Sequence, residues 1–292
     1  MSDVKFGWLS PVASHAGSDF KPITIFQAEH LFPSVLPHFD SVWVADHFYG
    51  FDDAKKEGFL EAWTTLTWLA AKFDNVEVAH HVIGHGYRSP ALIAKMAATL
   101  QVLTQGRFIL GIGAGWREEE YKAYGYEFPS TAVRLRQLEE VVQICRKMWT
   151  EEHPRFHGEY FSIDDAAATP RPEIAPRICI GSSGESIGLK IVGRRADMWN
   201  TGFQDDESWK RKRDIVYEAA HAFGRDDKDV TCCVTVAGPL PESGTDSEEW
   251  LQRLEGLRDL GIGYFVLDFG HPLHAEPALR FAEEVMVPMR QS

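Results

Sequence analysis

The sequence predicts an α/β fold of the (β/α)8 TIM-barrel class, as a single domain over residues 1–292, and three observations favour it. Short β-rich runs alternate with longer helical patterns along the whole chain, which is the pattern of parallel βαβ units. Eight such runs are present. The length of 292 residues is a little above the ~250 residues of a typical barrel. A doubly wound sheet is the competing fold, and the count of eight favours the barrel.

The predicted elements follow in order along the chain. The strands are 4–10, 41–47, 76–83, 107–113, 176–181, 196–202, 230–238 and 264–270. Three helices are clear, at 89–103, 130–149 and 246–261. The first has Ser89 as an expected N-cap before Pro90, the second repeats apolar residues at helical spacing, and the third has an acidic first turn and a terminal glycine.

Two stretches are predicted to be loop insertions at the C-terminal face of the barrel. The first, about residues 47–63, is aromatic and acidic and follows the second strand. The second, about residues 150–176, is rich in proline and precedes the fifth strand. Long loops in a compact domain are usually functional or disordered, and the aromatic content favours a functional role.

Composition and charge exclude several classes of protein. The net charge of −13, with no basic cluster, argues against nucleic acid as a partner. No apolar stretch reaches the length that spans a bilayer, and the N-terminal residues do not form a signal peptide. The four cysteines have no CxxC spacing and are expected to be reduced and mostly buried. These features predict a cytoplasmic protein that binds no membrane.

The segment GIGAGW, residues 111–116, carries an unusual amount of glycine for the end of a strand. It fails the GxGxxG dinucleotide fingerprint, because Trp116 stands where the last glycine belongs. Small residues at the C-terminal end of a barrel strand let a flat ligand lie against the backbone, so Gly113 is a candidate for cofactor contact. A tight strand-to-loop turn is the alternative.

Asp46 and His47 end the second predicted strand, in SVWVADHF. The imidazole titrates near neutrality, so His47 is a candidate proton donor or acceptor, a role worth ~10²–10⁴ in rate. The alternative is that Asp46 only caps the following loop.

Two further segments bear on ligands. In HHVIGHGYRSP, residues 80–90, adjacent histidines on a strand point to opposite faces and no carboxylate lies at ligand spacing, so no metal site is predicted. In PRICIGSSGESIGLK, residues 176–190, a strand is followed by Gly181-Ser182-Ser183-Gly184 and then a helix. Backbone N–H groups at such a helix start favour phosphate binding, with a plain serine and glycine loop as the alternative.

With these residues assembled, the chain resembles the bacterial luciferase-like superfamily of flavin and deazaflavin oxidoreductases, and most of all its coenzyme F420-dependent branch. The likeness runs from about residue 5 to 225. The segments that carry it are SVWVADHF, FLEAWTTLTWLAA, YRSPALIAKMAATLQVLTQGRFILGIGAGWREEEYKAYGYEFP, PRICIGSSGES and RRADMWNTG.

The resemblance implies a barrel whose cofactor ring lies at the C-terminal mouth. The residues it implies for the cofactor are Asp46, the pair His81 and Val82, and the phosphate-binding turn Gly181, Ser182, Ser183, Gly184 and Glu185. His81 and Val82 fall where relatives have a non-prolyl cis peptide behind the ring. Glu61 falls in a helix over the mouth and is a candidate for the substrate pocket. Trp116 is expected to wall the substrate pocket, and it stands where sugar-phosphate dehydrogenases of this branch carry a glutamate.

The expected function is therefore an F420-dependent oxidoreductase that moves hydride between the deazaflavin and a small organic substrate. His47 is the expected acid or base, with Asp46 orienting it or contacting the ring. Two alternatives stay open, an FMN-dependent monooxygenase of the same fold and a non-catalytic flavin-binding barrel. The resemblance also suggests a homodimer.

Overall fold

The computed structural model describes residues 4–11, 23–50 and 58–292. Its strands are β1 Lys5–Ser10, β2 Ser41–Val44, β3 Glu77–His80, β4 Ile83–Gly84, β5 Phe108–Gly113, β6 Arg155–His157, β7 Ser162–Asp164, β8 Arg177–Gly181, β9 Met198–Gly202, β10 Thr231–Ala237 and β11 Tyr264–Asp268. Its helices are α1 Ile23–His30, α2 Phe32–Val35, α3 Ala62–Lys72, α4 Pro90–Leu103, α5 Glu118–Ala123, α6 Thr131–Thr150, α7 Gly188–Arg195, α8 Asp206–Ala222, α9 Gly244–Asp259, α10 Glu276–Phe281 and α11 Val287–Gln291. A π-helical turn, Ala282–Met286, joins α10 to α11.

The predicted (β/α)8 barrel is confirmed. The strands follow the order β3-β2-β1-β11-β10-β9-β8-β5-β4, and β3 also pairs with β5. Apart from the two-residue β4 and the antiparallel pair β6–β7, these are the eight strands that the sequence predicts. Each predicted run contains its observed strand, because short apolar runs bounded by polar or glycine residues specify buried parallel strands.

The chain forms two compact units. The first comprises the chain up to Val78 together with Asn200–Lys210 and Thr231–Ser292. In it β1 pairs in parallel with β2 and β11, and β10 pairs with β11. The Trp8 ring is fully buried and packs edge-on against Phe39, with ring centroids 5.2 Å apart.

The second unit comprises Ala79–Trp199 and Arg211–Val230. In it β5 pairs in parallel with β8, from Ile109 opposite Arg177 to Gly113 opposite Gly181, and β4 pairs with β5. The helix α6 buries Leu138, Val141, Val142, Cys145 and Met148, which is the stripe that its sequence spacing predicts. The single-domain prediction for residues 1–292 stays a prediction.

The predicted helix starts are largely confirmed. Ser89 is the residue before α4 and Pro90 opens the helix, although the Ser89 side chain makes no capping hydrogen bond. Ser130 caps α6 by accepting from the backbone N–H of Val133. Ser243 and Asp246 form a reciprocal capping box at α9, so the acidic first turn of that helix is a cap as well as a charge.

The second predicted insertion requires a correction. Residues 151–176 connect the end of α6 to the start of β8, so they enter that strand at its N-terminal end and not at the C-terminal face. The hairpin β6–β7 lies within this segment, and the Glu140 carboxylate of α6 holds its turn by accepting from the backbone N–H groups of Glu159 (2.7 Å) and Phe161 (2.9 Å). Of the first insertion, residues 51–57 lie outside the described residues.

Two further expectations concern the cysteines and membrane-spanning helices. All four cysteines are free and buried, as predicted. Within residues 4–11, 23–50 and 58–292, no helix has the length and apolar character needed to cross a membrane.

Candidate functional site

The first unit places Asp46 and His47 just beyond the C-terminal end of β2. Asp46 is buried, with 4% of its surface exposed, and His47 is half-buried. The His47 ring meets Phe59 edge-on, with centroids 5.7 Å apart. The Asp46 side chain is thus shielded from solvent, while the His47 side chain keeps part of its surface accessible. The structure does not test their proposed roles.

Glu61 has a structural task in the first unit. It is the N-cap of α3, and its carboxylate accepts from the backbone N–H groups of Trp63 (3.1 Å) and Thr64 (2.7 Å). A carboxylate at this position satisfies donors that the helix cannot pair and interacts favourably with the helix dipole. Its expected role in a substrate pocket stays a prediction.

In the second unit, the glycines of β5 and β8 make room for the chain itself. The peptide bond between His81 and Val82 is cis, as the resemblance implied. A Cβ on Gly111 would lie 1.7 Å from the His80 carbonyl oxygen, and one on Gly181 would lie 2.7 Å from a Val82 methyl group. A Cβ on Gly113 would lie 3.0 Å from the same Val82 side chain. The space that the sequence analysis assigned to a flat ligand is therefore occupied, on this side, by residues 80–82.

A second group of glycines surrounds the Tyr121 ring. A Cβ on Gly84, Gly86 or Gly115 would lie 2.5, 2.8 or 2.2 Å from atoms of that ring or its hydroxyl. Gly115 also has φ +74°, a conformation that side chains disfavour. Tyr121 stacks on Tyr87, with ring centroids 4.1 Å apart. The loop after β5 is thus built around a buried tyrosine, which sequence reasoning did not identify.

Charged groups support this aromatic cluster. Glu120 is fully buried and accepts a hydrogen bond from the Tyr87 hydroxyl at 2.7 Å. The Arg134 guanidinium donates to the carbonyl oxygen of Ala114 at 3.2 Å and lies 3.7 Å from the centre of the Phe128 ring. These contacts fix the path of the chain just beyond Gly113. Glu118, Glu119 and Glu120 form the acidic first turn of α5, and of the three only Glu120 is fully buried.

The histidines of residues 80–85 are not arranged for metal binding. Burial lowers the pKa of His80 well below its usual value and lowers the pKa of His85 to about 4. The His85 Nε2 atom lies 2.9 Å from the Arg134 carbonyl oxygen. Both rings are therefore neutral at physiological pH. Among the described residues, no group of three or more histidines, cysteines and carboxylates is placed to hold a metal ion.

The turn after β8 is a feature of the second unit that is suited to binding a ligand. The strand ends at Gly181 and α7 begins at Gly188. The backbone N–H groups of Ser183, Gly184 and Glu185 donate to no acceptor in the part of the chain that the structure describes. A Cβ on Gly184 would meet no atom within 4 Å. Unfilled backbone donors before a helix N-terminus suit an anion.

The turn is held in place from behind. The Trp199 indole N–H donates to the Ser182 carbonyl oxygen at 2.8 Å, and the Leu189 N–H donates to the Gly184 carbonyl oxygen at 3.0 Å. The Glu185 carboxylate pairs with Arg211 at 3.1 Å. In the structure its side chain is thus engaged in an exposed ion pair with α8.

Trp116 follows Gly115 in the loop after β5 and is 66% exposed. A single exposed aromatic ring is normal on a protein surface and does not by itself indicate a binding site. The prediction that Trp116 walls a substrate pocket is compatible with this exposure and is not tested by it.

Comparison with known proteins gives one family and a set of relatives. The sequence model of a family described as luciferase-like monooxygenase matches residues 38–260. An F420-dependent glucose-6-phosphate dehydrogenase of Kineococcus radiotolerans is 38% identical over 159 residues, which are 54% of this chain and 46% of that protein. The pyrimidine monooxygenase RutA of Acinetobacter baylyi is 30% identical over 219 residues, 66% of this chain and 58% of that protein. The matched segment thus spans about half the length of these curated relatives.

Solved structures show the same fold at low sequence identity. An F420-dependent secondary alcohol dehydrogenase in complex with an F420-acetone adduct has a TM-score of 0.82 at 20% identity, covering 97% of this chain and 98% of that one. The coenzyme F420-dependent tetrahydromethanopterin reductase of Methanopyrus kandleri has a TM-score of 0.72 at 16% identity, covering 98% and 99%. At these identities the similarity establishes the barrel fold and nothing finer.

Proposed function

Because this chain belongs to the luciferase-like monooxygenase family, we propose that it is an F420-dependent oxidoreductase. In this proposal, hydride passes between the deazaflavin and a small organic substrate. The observation that carries it is the turn of residues 181–185, with its unfilled backbone donors. Relatives named for their use of F420 support the choice of cofactor.

The chemistry of the turn fits the phosphate of such a cofactor. Three consecutive N–H groups, at Ser183, Gly184 and Glu185, have no acceptor among the described residues. Open space at Gly184 lets an anion approach the backbone. Charge-assisted hydrogen bonds from backbone N–H groups to phosphate are about twice as strong as neutral ones. We propose that these three residues, with Gly181 and Ser182, hold the phosphate.

Val82 offers a surface on which a planar ring can rest. Its side chain is partly exposed, and its methyl groups pack closely against the backbone of Gly113 and Gly181. An aliphatic surface of this kind contacts a ring without competing for its hydrogen-bonding edges. We propose that His81 and Val82 lie behind the ring, and that Gly113 contributes by admitting Val82.

In this proposal the protein's own residues orient the substrate and the cofactor and transfer a proton. When bound, the deazaflavin would supply the carbon that gives or accepts the hydride. His47 exchanges a proton with the substrate oxygen through a ring nitrogen, and the buried Asp46 carboxylate orients that ring or contacts the cofactor. The polar residues beyond β2 lie where barrels place catalytic groups, at the C-terminal ends of strands.

The proposed substrate is a small organic molecule other than a sugar phosphate. Several relatives are named glucose-6-phosphate dehydrogenases. In the sugar-phosphate dehydrogenases that the chain resembles, a glutamate stands at the position of the exposed Trp116, and an indole cannot accept the hydrogen bond that a carboxylate accepts. We also propose a homodimer, from the family resemblance alone, and a cytoplasmic location, from the free and buried cysteines.

The experiment that tests this function begins with cofactor choice. The purified protein is titrated with F420 and with FMN, and binding is followed by fluorescence. We expect tighter binding of F420, followed by substrate-dependent oxidation or reduction of F420 with small alcohols or ketones but not with glucose-6-phosphate. Preference for FMN contradicts the cofactor proposal, and F420 binding without turnover on any substrate points to a non-catalytic barrel.

His47 is tested in the same assay. We expect His47→Ala to lower kcat by ~10²-fold or more, with the F420 dissociation constant and the circular dichroism spectrum unchanged. His30 is an exposed histidine to which no role is assigned. His30→Ala therefore serves as the matched control and should leave kcat unchanged. Equal kcat in His47→Ala and the wild-type protein removes His47 from the mechanism.

A second candidate function is an FMN-dependent monooxygenase. The observation that favours it is the 30% identity to the monooxygenase RutA. It requires FMN binding together with consumption of oxygen that depends on a substrate. Oxygen-electrode measurements with FMN, a reductant and a panel of nitrogen heterocycles decide between the two reactions.

A further inference from the structure

A cavity rich in arginine lies in the second unit, at the opposite end of β8 from the phosphate turn. Its volume is about 340 Å³. The charged residues that line it are Arg146, Lys147, Arg194, Arg195, Arg225 and Asp197. Five cations and one carboxylate thus face a cavity in a chain whose net charge is −13. None of the roles proposed above uses these residues.

The carboxylates near this cavity do not match its cations in number. Arg194 and Arg195 share the single carboxylate of Glu139, at 2.8 and 3.1 Å. Asp197 is already occupied, because its Oδ2 atom accepts from Arg146 at 2.5 Å and from the Ile178 backbone N–H at 2.7 Å. One of the two guanidinium charges beside Glu139 is therefore uncompensated.

Arg225 forms no close ion pair, although the carboxylates of Asp197 and Asp229 interact favourably with its charge from farther away. Its guanidinium donates to the carbonyl oxygens of Gly193 (2.7 Å), Ala196 (2.6 Å) and Asp229 (2.8 Å). In the part of the chain that the structure describes, no carboxylate pairs with it within 4 Å. Burial lowers the pKa of this guanidinium. Carbonyl oxygens fix its position but leave its positive charge, so a bound anion would stabilise it.

The fifth cation, Lys147, adds positive charge to the cavity and is held only weakly in its present position. Lys147 pairs with Glu151 one turn along α6, at 2.8 Å, with about a third of its side chain exposed. Such exposed pairs are weak and exchange partners readily. Lys147 is therefore available to turn toward a ligand that enters the cavity.

We propose that this cavity binds a small molecule that carries a phosphate group. The excess of positive charge suits a phosphate dianion. Glu139 accepts from Nε and Nη2 of Arg194 and from Nε of Arg195, and the remaining guanidinium N–H groups of these two residues are donors of the kind that phosphate oxygens accept. A cavity of about 340 Å³ is at the lower end of the range for small-molecule sites. Without a bound anion, this clustering of arginines would destabilise the folded state, because like charges repel.

The site is separate from the turn proposed to hold the cofactor. Asp197 contacts Ile178 near the start of β8, whereas residues 181–185 comprise the last residue of that strand and the turn after it. Gly181 is three residues beyond Ile178 along the strand, which corresponds to roughly 10 Å at ~3.3 Å per residue. In barrels this is the end of the strand that reaction chemistry does not use. Occupancy there is expected to modulate stability or affinity, and not to supply a reacting group.

The test is a calorimetric titration of the full-length protein with inorganic pyrophosphate, with ionic strength held constant by sodium chloride. We expect saturable binding whose affinity falls as sodium chloride is raised. Arg195→Gln removes one surplus charge and two potential hydrogen bonds, and should weaken binding at least about tenfold. Arg155→Gln is the matched control, because Arg155 is an exposed arginine of the β6–β7 hairpin outside the cavity, and should bind within about twofold of wild type.

Three further variants keep the result interpretable. Lys147→Gln removes a cavity charge from a partly exposed helix position and should also weaken binding, while Arg195→Lys should recover part of the loss. Gly184→Phe blocks the phosphate turn instead, and pyrophosphate binding that survives it but is lost in Arg195→Gln assigns the ligand to the cavity. Absence of saturable binding to the wild type, equal losses in Arg155→Gln and Arg195→Gln, or loss in Gly184→Phe alone overturns the proposal.

Discussion

Two sets of glycines in the second unit look alike in sequence and differ in what surrounds them. Gly111, Gly113 and Gly181, at the ends of β5 and β8, are packed against residues 80–82. Gly184, three residues beyond Gly181, has no neighbour within 4 Å of an added Cβ. The first set is needed because the chain folds onto it, and the second leaves backbone donors accessible. Glycine at a strand end therefore does not by itself indicate a ligand contact, and the space around it decides which reading holds.

The largest expected effect comes from the packed set. Gly111→Ala places a methyl group 1.7 Å from the His80 carbonyl oxygen, and a backbone atom inside a sheet cannot move aside. We expect the free energy of unfolding to fall by about 3 kcal/mol or more, measured by urea denaturation. Gly256→Ala is the control, since Gly256 lies within α9 with no atom near its added Cβ, and should stabilise by about 0.5–1 kcal/mol. A loss below about 1 kcal/mol in Gly111→Ala would mean that residues 80–82 do not press on β5.

The packed region should also respond to pH, because it contains histidines that are neutral in the folded state. Burial lowers the pKa of His85 to about 4, against about 6.5 in the unfolded chain. The unfolded state therefore binds more protons between these values, so the free energy of unfolding is highest above pH ~6.5 and falls as pH drops toward ~4. We expect a loss of roughly 2 kcal/mol from His85 between pH 7 and pH 5. His85→Gln should flatten this slope in urea denaturation, and a slope equal to that of the wild type contradicts the assignment.

The loop after β5 gives a sharper comparison, because Gly115 and Gly125 share a backbone conformation but not a neighbourhood. Their φ values are +74° and +76°, and only Gly115 meets the Tyr121 hydroxyl. Alanine at either position costs about 1 kcal/mol for the backbone. Gly115→Ala should cost a further ~1–3 kcal/mol, because the buried Tyr121 cannot swing outward. Equal unfolding free energies for the two variants would show that Tyr121 moves aside to accommodate the added methyl group.

The smallest effect on stability is expected at the open glycine. Gly184→Ala should change the free energy of unfolding by less than about 0.5 kcal/mol. Gly184→Phe should keep that stability but weaken F420 binding by about tenfold or more, because the ring covers the N–H groups of the turn. The matched control is Gly244→Phe, at an equally open glycine that begins α9. An unaltered F420 dissociation constant in Gly184→Phe refutes the phosphate-turn proposal.

Much of this architecture could be predicted from the sequence. Each of the eight barrel strands lies within its predicted run, and the turn after β8 occurs where Gly181-Ser182-Ser183-Gly184 predicted it. The cis peptide at His81 and Val82 was implied by resemblance and is present. The placement of residues 150–176 was wrong, because a segment between a helix and a strand reaches the strand at its N-terminal end. Glu61 proved to be a helix cap, which the sequence also allows.

Other features were beyond reach of the sequence. The fully buried Glu120 looks identical in sequence to Glu118 and Glu119 beside it, and only its contact with Tyr87 distinguishes it. The residues that line the arginine-rich cavity come from α6, α7 and the segment after α8, so no local sequence pattern predicts it. Both depend on which distant side chains meet.

The sequence by itself determined the alternation of strands and helices, the helix caps and the serine and glycine turn, because hydrophobic periodicity and backbone freedom act over a few residues. The tertiary structure alone decided which glycines are filled by the protein and which stay open, which of three adjacent glutamates is buried, and where arginines outnumber their carboxylates. Those outcomes depend on contacts between residues far apart in the chain, whose geometry is set only when the strands are in register.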